Sequence, residues 1–288
     1  MGKTLRALGL MSGTSMDGID VALIETDGED ALQRGPSGTY AYSEAFRASL
    51  RGALADASAI TRRGERPGQL ALIEQYLTDL HVEAVAQFLE DHSVAPADVA
   101  VIGFHGQTVL HKRGGLVGRT ASEPTPLPGR LSRISSPRTL TVQLGDGARL
   151  AKQTGIDVVY DLRAADTLAG GEGAPLAPVY HRALAAKLPE RPVAVLNIGG
   201  VANVTWIGRE GELLAFDTGP GNAMIDDWMQ RRRGLPRDED GALAAGGRVH
   251  DDYVTQYLHH SHFGAPPPKS LDRNAFPLEL IDGLSVED

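Results

Sequence analysis

A chain of 288 residues with 42% hydrophobic content is long enough to bury the core of two α/β lobes or one large domain, which excludes disorder of the whole chain. Its 28 Lys and Arg against 37 Asp and Glu leave a net charge of -9, so the long-range field repels nucleic acid and any phosphate must be gripped locally. There is no cysteine, which excludes disulfide scaffolds, thiolate metal sites and cysteine nucleophiles and fits a reducing cytoplasm.

The N-terminal stretch MGKTLRALGL runs directly into a Gly/Ser-rich turn, a pattern that predicts neither secretion nor membrane insertion. Leu5 to Met11 reads as a buried strand, Ser12 to Gly18 as a polar tip and Ile19 to Glu25 as an alternating second strand, together a β-hairpin. Ile73, Leu77, Leu80, Ala84, Val85, Phe88 and Leu89 recur at helical spacing, and Val99 to Phe104 predicts a short apolar strand after Pro96. Lys112 to Pro137, with Pro124, Pro126 and Pro128 and no hydrophobic period, reads as a mobile surface loop. Ile156 to Tyr160 predicts another strand and Leu176 to Leu188 another helix. Val193 to Ile198 is again a buried strand, Gly199 to Asn203 a tight tip and Val204 to Ile207 its return, the same device as the first hairpin. Asn222 is predicted to cap a helix from Ala223 to Arg233 that closes on Gly234, with Arg231, Arg232 and Arg233 as a solvated end suited to the helix dipole. Strands and helices alternate along the chain, as α/β layers require.

Gly13-Thr14-Ser15-Met16-Asp17-Gly18 offers unhindered backbone N–H groups and two hydroxyls, the equipment of a phosphate cradle. It lacks the Gly-Lys-Ser/Thr ending of a P-loop, and Asp17 stands where a serine-hydrolase elbow needs its second glycine. Taken alone, the segment reads first as a turn. Phe216 to Asn222 shifts that balance, because Gly219 and Gly221 permit close backbone approach and Asn222 opens a helix whose N-terminus favours an anion. The competing reading there is a strand-to-helix loop with an N-cap. Two such tips in one chain point to a nucleotide clamped between lobes.

Asp161 to Asp166 follows a strand and leads into Ala169 to Pro175, a flexible stretch suited to closing around a polar substrate. Asp166 is then a candidate base, with an N-capping role before a helix as the equal alternative. His105 and Gln107, within Gly103 to Thr108, stand at a strand's carboxyl end, where they are placed to hydrogen-bond substrate hydroxyls. His259, His260 and His262 lack a supporting carboxylate pattern and read as a surface cluster rather than a metal site.

Taken in order, Gly9 to Gly18, Gly103 to Thr108, Thr141 to Asp146, Asp161 to Pro175, Leu196 to Val204 and Phe216 to Asp226 closely resemble the anhydro-N-acetylmuramic acid kinase family, over essentially the whole chain. The resemblance implies membership of the actin, hexokinase and Hsp70 superfamily, an α/β fold of two ribonuclease-H-like lobes that clamp ATP. Residues 1–188 would form the lobe with the sugar-binding and catalytic loop. Residues 189–288 would form a second lobe expected to be incomplete, because family members continue past Asp288. The implied activity is ATP-dependent phosphorylation of the 6-position of 1,6-anhydro-N-acetylmuramic acid coupled to hydrolytic opening of the anhydro ring, giving N-acetylmuramate 6-phosphate in cytoplasmic peptidoglycan recycling. A remnant that keeps sugar binding but is impaired in catalysis is the alternative.

By match to the family motifs, Gly13, Thr14, Ser15, Met16, Asp17, Gly18, Ile19 and Asp20 contact ATP phosphate, joined from the second half by Asn197, Gly199, Gly200, Asn203, Asp217, Gly219, Gly221 and Asn222. His105, Gln107, Arg163, Gly171, Glu172 and Gly173 are expected at the sugar, and Asp166 is the base that activates the water attacking the anomeric carbon. Magnesium is expected to bridge the ATP phosphates, oriented by Asp17 or Asp217. The partners implied are the amino sugar, ATP and a second copy of the chain, since family members are commonly dimeric; neither nucleic acid nor membrane is expected. The chain departs from the family pattern in its long 112–137 loop, in Glu172 where the family generally has Gln, and in Leu271-Asp272 where Thr-Gly is usual.

Overall fold

The computed structural model describes residues 3–13, 16–112, 139–169, 171, 173–271 and 275–285; the expected loop between Lys112 and Pro137 lies outside them apart from Lys112 itself. The chain divides into two compact units, Met1–Ala174 and Pro175–Asp288. The second begins before the expected boundary at 188, because the helix Pro178–Ala185 packs on strands that follow it.

In the first unit, the apolar positions of β1 (Leu5–Ser12) bury Leu8 and Leu10, and β2 (Gly18–Thr26) returns antiparallel to it with Ile19, Val21 and Leu23 on the core side. The outer strand β3 (Leu32–Ala41) has few apolar residues, so its pattern is silent in sequence; it forms by pairing antiparallel with β2. Two helices follow, α1 (Glu44–Ala57) and α2 (Leu70–Asp91). Ser43 caps α1 by accepting the Phe46 N–H at 3.3 Å, and α1 buries Phe46, Leu50, Ala53 and Ala57 along one face. The helical spacing read in the sequence is the buried stripe of α2, from Ile73 to Leu89. Each of its fully buried Leu or Phe side chains contributes about 1.5–3 kcal/mol through removal from water.

These helices form the crossover into β4 (Val101–Lys112), which pairs parallel with β1. The remaining elements are β5 (Leu140–Leu144), α3 (Gly147–Thr154), β6 (Val158–Tyr160) and α4 (Leu162–Leu168). The sheet runs β3-β2-β1-β4-β5, with β6 also beside β4. β4 is longer than its apolar run predicts. Its first half pairs with β1 and β6, and its second half continues through His105-Gly106-Gln107-Thr108 because β5 supplies a new antiparallel partner.

The second unit holds α5 (Pro178–Ala185), the strands β7 (Val193–Ile198), β8 (Val201–Ile207) and β9 (Leu213–Pro220), and then α6 (Asn222–Arg233), α7 (Asp251–Leu258) and α8 (Ser261–Gly264). The strands form an antiparallel sheet in the order β7-β8-β9, and α5 packs on β8 and β9. The hairpin tip is Gly199-Gly200 alone, shorter than expected, since Asn203 pairs with Asn197 inside the ladder. α6 ends on Gly234 in the left-handed conformation, as its sequence predicts. Its last turn is solvated as expected, with Arg231 and Arg233 exposed, and it also makes surface contacts: Arg231 pairs with Asp282 at 3.0 Å, and Arg232 donates to the Asp282 carbonyl at 2.5 Å. Among the described residues no helix is long and apolar enough to cross a membrane.

One core side chain makes the first unit acid-sensitive. His81 is fully buried on α2, with its ring edge-on to Phe104 at 4.8 Å and Nδ1 bonded to the Leu77 carbonyl at 2.7 Å. Burial pushes its pKa down to about 4. Above the ordinary value of 6.5 it is neutral folded or unfolded and costs nothing; as pH falls from 6.5 towards 4 only the unfolded chain protonates, so stability is lost. The full loss is about 3 kcal/mol. Denaturant unfolding at pH 7, 5 and 4 should show His81→Leu losing less stability than the parent over this window, and equal losses would exonerate His81.

Candidate active site

The first tip is held from beneath by a buried polar network. Ser12 at the end of β1 donates to Gln107 Oε1 of β4 at 2.7 Å and, with its proton so used, accepts from the Tyr42 hydroxyl at 2.8 Å. Gln107 Nε2 in turn donates to the Gly13 carbonyl at 3.2 Å. Burial pushes the Tyr42 hydroxyl pKa up, with the bond to Ser12 opposing and the charge of Asp17 adding to the shift, so Tyr42 remains a neutral donor. Gln107 is 0% exposed, so it is an anchor for the tip and not, as expected, a partner for substrate hydroxyls.

The tip itself is pinned at several points. Met16 adopts φ 54, its N–H donates to the Gly13 carbonyl at 3.1 Å, and its own carbonyl accepts from Arg47 Nε at 3.2 Å. The Tyr42 N–H donates to the Asp17 carbonyl at 2.9 Å. Among the residues expected at phosphate, Met16 and Ile19 bury their side chains in the core, and Gly18 is buried opposite Ala41. Asp17 and Asp20 are exposed, and Asp20 accepts from the Thr39 hydroxyl at 2.6 Å. Thr14 and Ser15 lie outside the described residues. No local signal marked Tyr42 or Arg47, because their roles arise only when β3 and α1 pack beside the tip.

Four of the expected sugar-site residues come together with Asp166. β6 delivers the chain to Asp161, whose left-handed backbone (φ 65) turns it into α4. Within α4, Arg163 points its Nε at His105 Nε2 at 2.7 Å and its Nη1 at the Gly173 carbonyl at 2.9 Å. Because Nε2 accepts from Arg163, the proton of the neutral ring sits on Nδ1, which bonds the Gly106 carbonyl at 2.7 Å. Burial, and then the Arg163 charge, pull the His105 pKa down and keep it neutral.

Asp166 is not an N-cap; it lies in the last turn of α4, half-buried. The Gly173 N–H donates to its Oδ2 at 2.7 Å, and the Gly171 N–H to its backbone carbonyl at 2.9 Å. Both glycines are required: a side chain on Gly171 would collide with the Asp166 carboxylate, and Gly173 takes φ 75 against Thr167. Glu172 lies outside the described residues. Beside this cluster is a cavity of about 120 Å³ lined by Arg63, His105, Gly106, Gln143, Tyr160 and Asp161, with Arg63 paired to the Asp161 carboxylate. A larger cavity of about 370 Å³ in the second unit, among Met224, Ile225, Trp228, Met229 and Val249, contains none of the expected site residues and has mainly apolar walls, unsuited to a hydroxyl-rich ligand.

In the second unit, Asn222 is the first residue of α6 and does not cap it; its side chain donates to the Ile198 carbonyl at 3.1 Å. The N–H groups of Asn222 and Ala223 are bonded to the Gly199 and Gly200 carbonyls at 2.7 and 3.3 Å, so these amides serve the hairpin tip instead of presenting an open anion site. Asp217 is fixed on three sides: its N–H donates to the Lys269 carbonyl, its carbonyl accepts from His262 Nε2, and its Oδ2 accepts from the Leu271 N–H at 2.7 Å. His262 is therefore a buried positioning group and not part of a surface cluster, while His260 stacks on Phe276 at 4.4 Å. Asn197, Asn203, Gly219 and Gly221 all sit on or beside the tip of the sheet, within β7–β9 and the turn into α6.

A family model described as anhydro-N-acetylmuramic acid kinase matches residues 5–122 and 132–284. An anhydro-N-acetylmuramic acid kinase of Methylobacterium nodulans is 52% identical over 295 residues, covering 99% of this chain and 73% of the relative. Those of Rhodopseudomonas palustris and Azorhizobium caulinodans are 48% and 51% identical, with 99% and 98% of this chain covered and 72% and 70% of the relatives.

The network under the first tip predicts a graded loss of stability. Tyr42→Phe removes one bond and should cost about 1 kcal/mol, whereas Gln107→Leu strands both the Ser12 hydroxyl and the Gly13 carbonyl and should cost about 1–3 kcal/mol. Urea unfolding of the two variants gives the order; a Gln107→Leu protein as stable as the parent would show that the network does not hold the tip.

Proposed function

This chain belongs to the anhydro-N-acetylmuramic acid kinase family, and on that premise we propose that it phosphorylates the 6-position of 1,6-anhydro-N-acetylmuramic acid with ATP while water opens the anhydro ring, giving N-acetylmuramate 6-phosphate for cell-wall recycling. The observation that carries this reading is the meeting of Asp166 with Gly171, Gly173, Arg163 and His105 just past the end of the parallel pairing of β4 with β6, beside a cavity that His105 lines. In an α/β sheet, ligands bind at that end of the strands. The sheet order of the first unit, with an antiparallel β1–β2–β3 meander and a parallel β4, supports reading it as a ribonuclease-H-like lobe.

Asp166 takes a proton from water as the water oxygen attacks the anomeric carbon. The bond from that carbon to O6 breaks, and O6, now nucleophilic, attacks the γ-phosphorus of ATP, expelling ADP. A base positioned in this way contributes roughly 10²- to 10⁴-fold. The Gly173 N–H bonded to one carboxylate oxygen leaves the orientation of the other defined, which is the requirement for proton abstraction in a fixed direction.

Phosphate contacts are assigned, in each unit by itself, to the backbone at Gly13 and Asp17 and to that of Gly199 and Gly200. Asp17, exposed at its tip, and Asp217, half-buried beside β8, are oxygen donors of the type a hard cation that keeps several waters accepts. Magnesium bound with ATP would neutralise charge developing on the transferred phosphoryl group.

Asp166→Asn preserves shape and removes the base. With anhydro-N-acetylmuramic acid and ATP, coupled ADP release should fall at least about 10²-fold while ATP binding, read by calorimetry, stays near the parent value. Turnover that survives the substitution would remove Asp166 from the role of base.

A further inference from the structure

His105 and Arg163 are expected to touch the sugar, yet both ring nitrogens of His105 and two of the three guanidinium nitrogens of Arg163 are engaged within the protein. His105 is wedged between the Gly106 carbonyl at Nδ1 and the Arg163 guanidinium at Nε2, so both ring nitrogens have protein partners. Arg163 uses Nε on His105 and Nη1 on the Gly173 carbonyl. Gly173 then passes the constraint on, since its N–H is the donor to the Asp166 carboxylate at 2.7 Å. The pathway runs from the β4 backbone through His105, Arg163 and Gly173 to the reacting carboxylate, every link a hydrogen bond between 2.7 and 2.9 Å.

We propose that His105 and Arg163 form a latch that positions Gly173 and through it aims the Asp166 carboxylate. They are positioning residues and not ligands of the sugar. The geometry of the pair favours this assignment. A neutral imidazole that accepts from a guanidinium holds that guanidinium in one plane, and the planar fork places a second N–H at a fixed angle towards the Gly173 carbonyl. Gly173, in the left-handed region, has few alternative ways to present its N–H once its carbonyl is held. A carboxylate near the end of a helix is also disfavoured by the adjacent carbonyl dipoles, so without the Gly173 N–H its preferred direction would be outward to water. The latch rests on the reading of Asp166 as base for its kinetic consequence, but its structural consequence is independent of that reading.

The test uses His105→Leu, His105→Gln, Arg163→Met and Arg163→Lys in the full chain, with ADP release measured over ranges of sugar and ATP. His105→Leu and Arg163→Met should lower kcat about 10²-fold, the cost of a misplaced catalytic group, with KM for both substrates near the parent values. His105→Gln, which retains an acceptor, should recover much of kcat, and Arg163→Lys, which keeps the charge but loses the fork, should not. In an Asp166→Asn background, His105→Leu should cause no further loss. A raised sugar KM at unchanged kcat, or additive losses in the double variant, would make the pair direct ligands and overturn the latch.

Backbone amide exchange separates this proposal from the assignment of the base. The Gly173 amide should exchange faster in His105→Leu and Arg163→Met than in the parent, whatever the chemistry. Unchanged exchange refutes the latch even where Asp166→Asn is inactive. Faster exchange with an active Asp166→Asn protein keeps the latch and discards the base. If the Leu and Met variants do not fold, Arg163→Lys, which loses the fork, should still exchange faster than the parent, while His105→Gln, which keeps the acceptor, should not; equal exchange in both would refute the latch.

Discussion

The 2.7 Å hydrogen bond from Ser12 to Gln107 joins two parallel strands at the place where the apolar pattern of both gives way to polar residues. Neither side chain has access to water, so each polar atom must be satisfied by the other or by Tyr42 and the Gly13 carbonyl. Buried networks of this kind are stabilising when complete and costly when one member is removed. The consequence is that the described flanks of the tip, Gly13 on one side and Met16 and Asp17 on the other, are anchored to the surrounding structure. Met16 adds to it by taking a left-handed conformation with its side chain in the core, where the backbone is anchored by Arg47 from α1.

β4 extends the same constraint in the other direction. Two residues before Gln107, on the same strand and outside the apolar run, His105 also has a defined partner, Arg163. Between them the strand changes neighbours, from β6 to β5, so this short stretch borders both the tip and the Asp166 cluster. The α2 helix secures the neighbouring turn: Glu74 receives a two-pronged contact from Arg66 at 2.8 Å and accepts from the Gly145 N–H, and Thr78 accepts from the Asp146 N–H. The Gln-Leu-Gly-Asp stretch shared with the family thus has a structural role, setting the end of β5 and the cap of α3.

Asp166, the base of the proposed reaction, departs from local preference. Aspartate suits the start of a helix, and here it sits in the last turn of α4, where the carbonyl dipoles oppose its charge. The Gly173 N–H offsets that opposition and selects one orientation of the carboxylate. In the second unit the same economy of backbone groups appears in another form. The N-terminal amides of α6 are taken by the tip carbonyls of Gly199 and Gly200, which couples helix and hairpin into one rigid piece.

The hairpins β1–β2 and β7–β8, the buried stripe of α2 and the Gly234 stop of α6 were legible in the amino-acid sequence, because hydrophobic period and glycine conformation act over a few neighbouring residues. So was the family, through motifs spread along the chain. Other features were decided only by tertiary structure. β3 exists because β2 offers it an edge, β4 outruns its apolar stretch because β5 lies beside it, and Gln107 is an anchor because Ser12 and Tyr42 close over it. His262 is buried because Asp217 presents its carbonyl to it. Residue types in sequence determined which groups were available for catalysis; which of them face a cavity and which are consumed as supports depends on partners 30 to 95 positions away, and contacts at that separation leave no periodic trace.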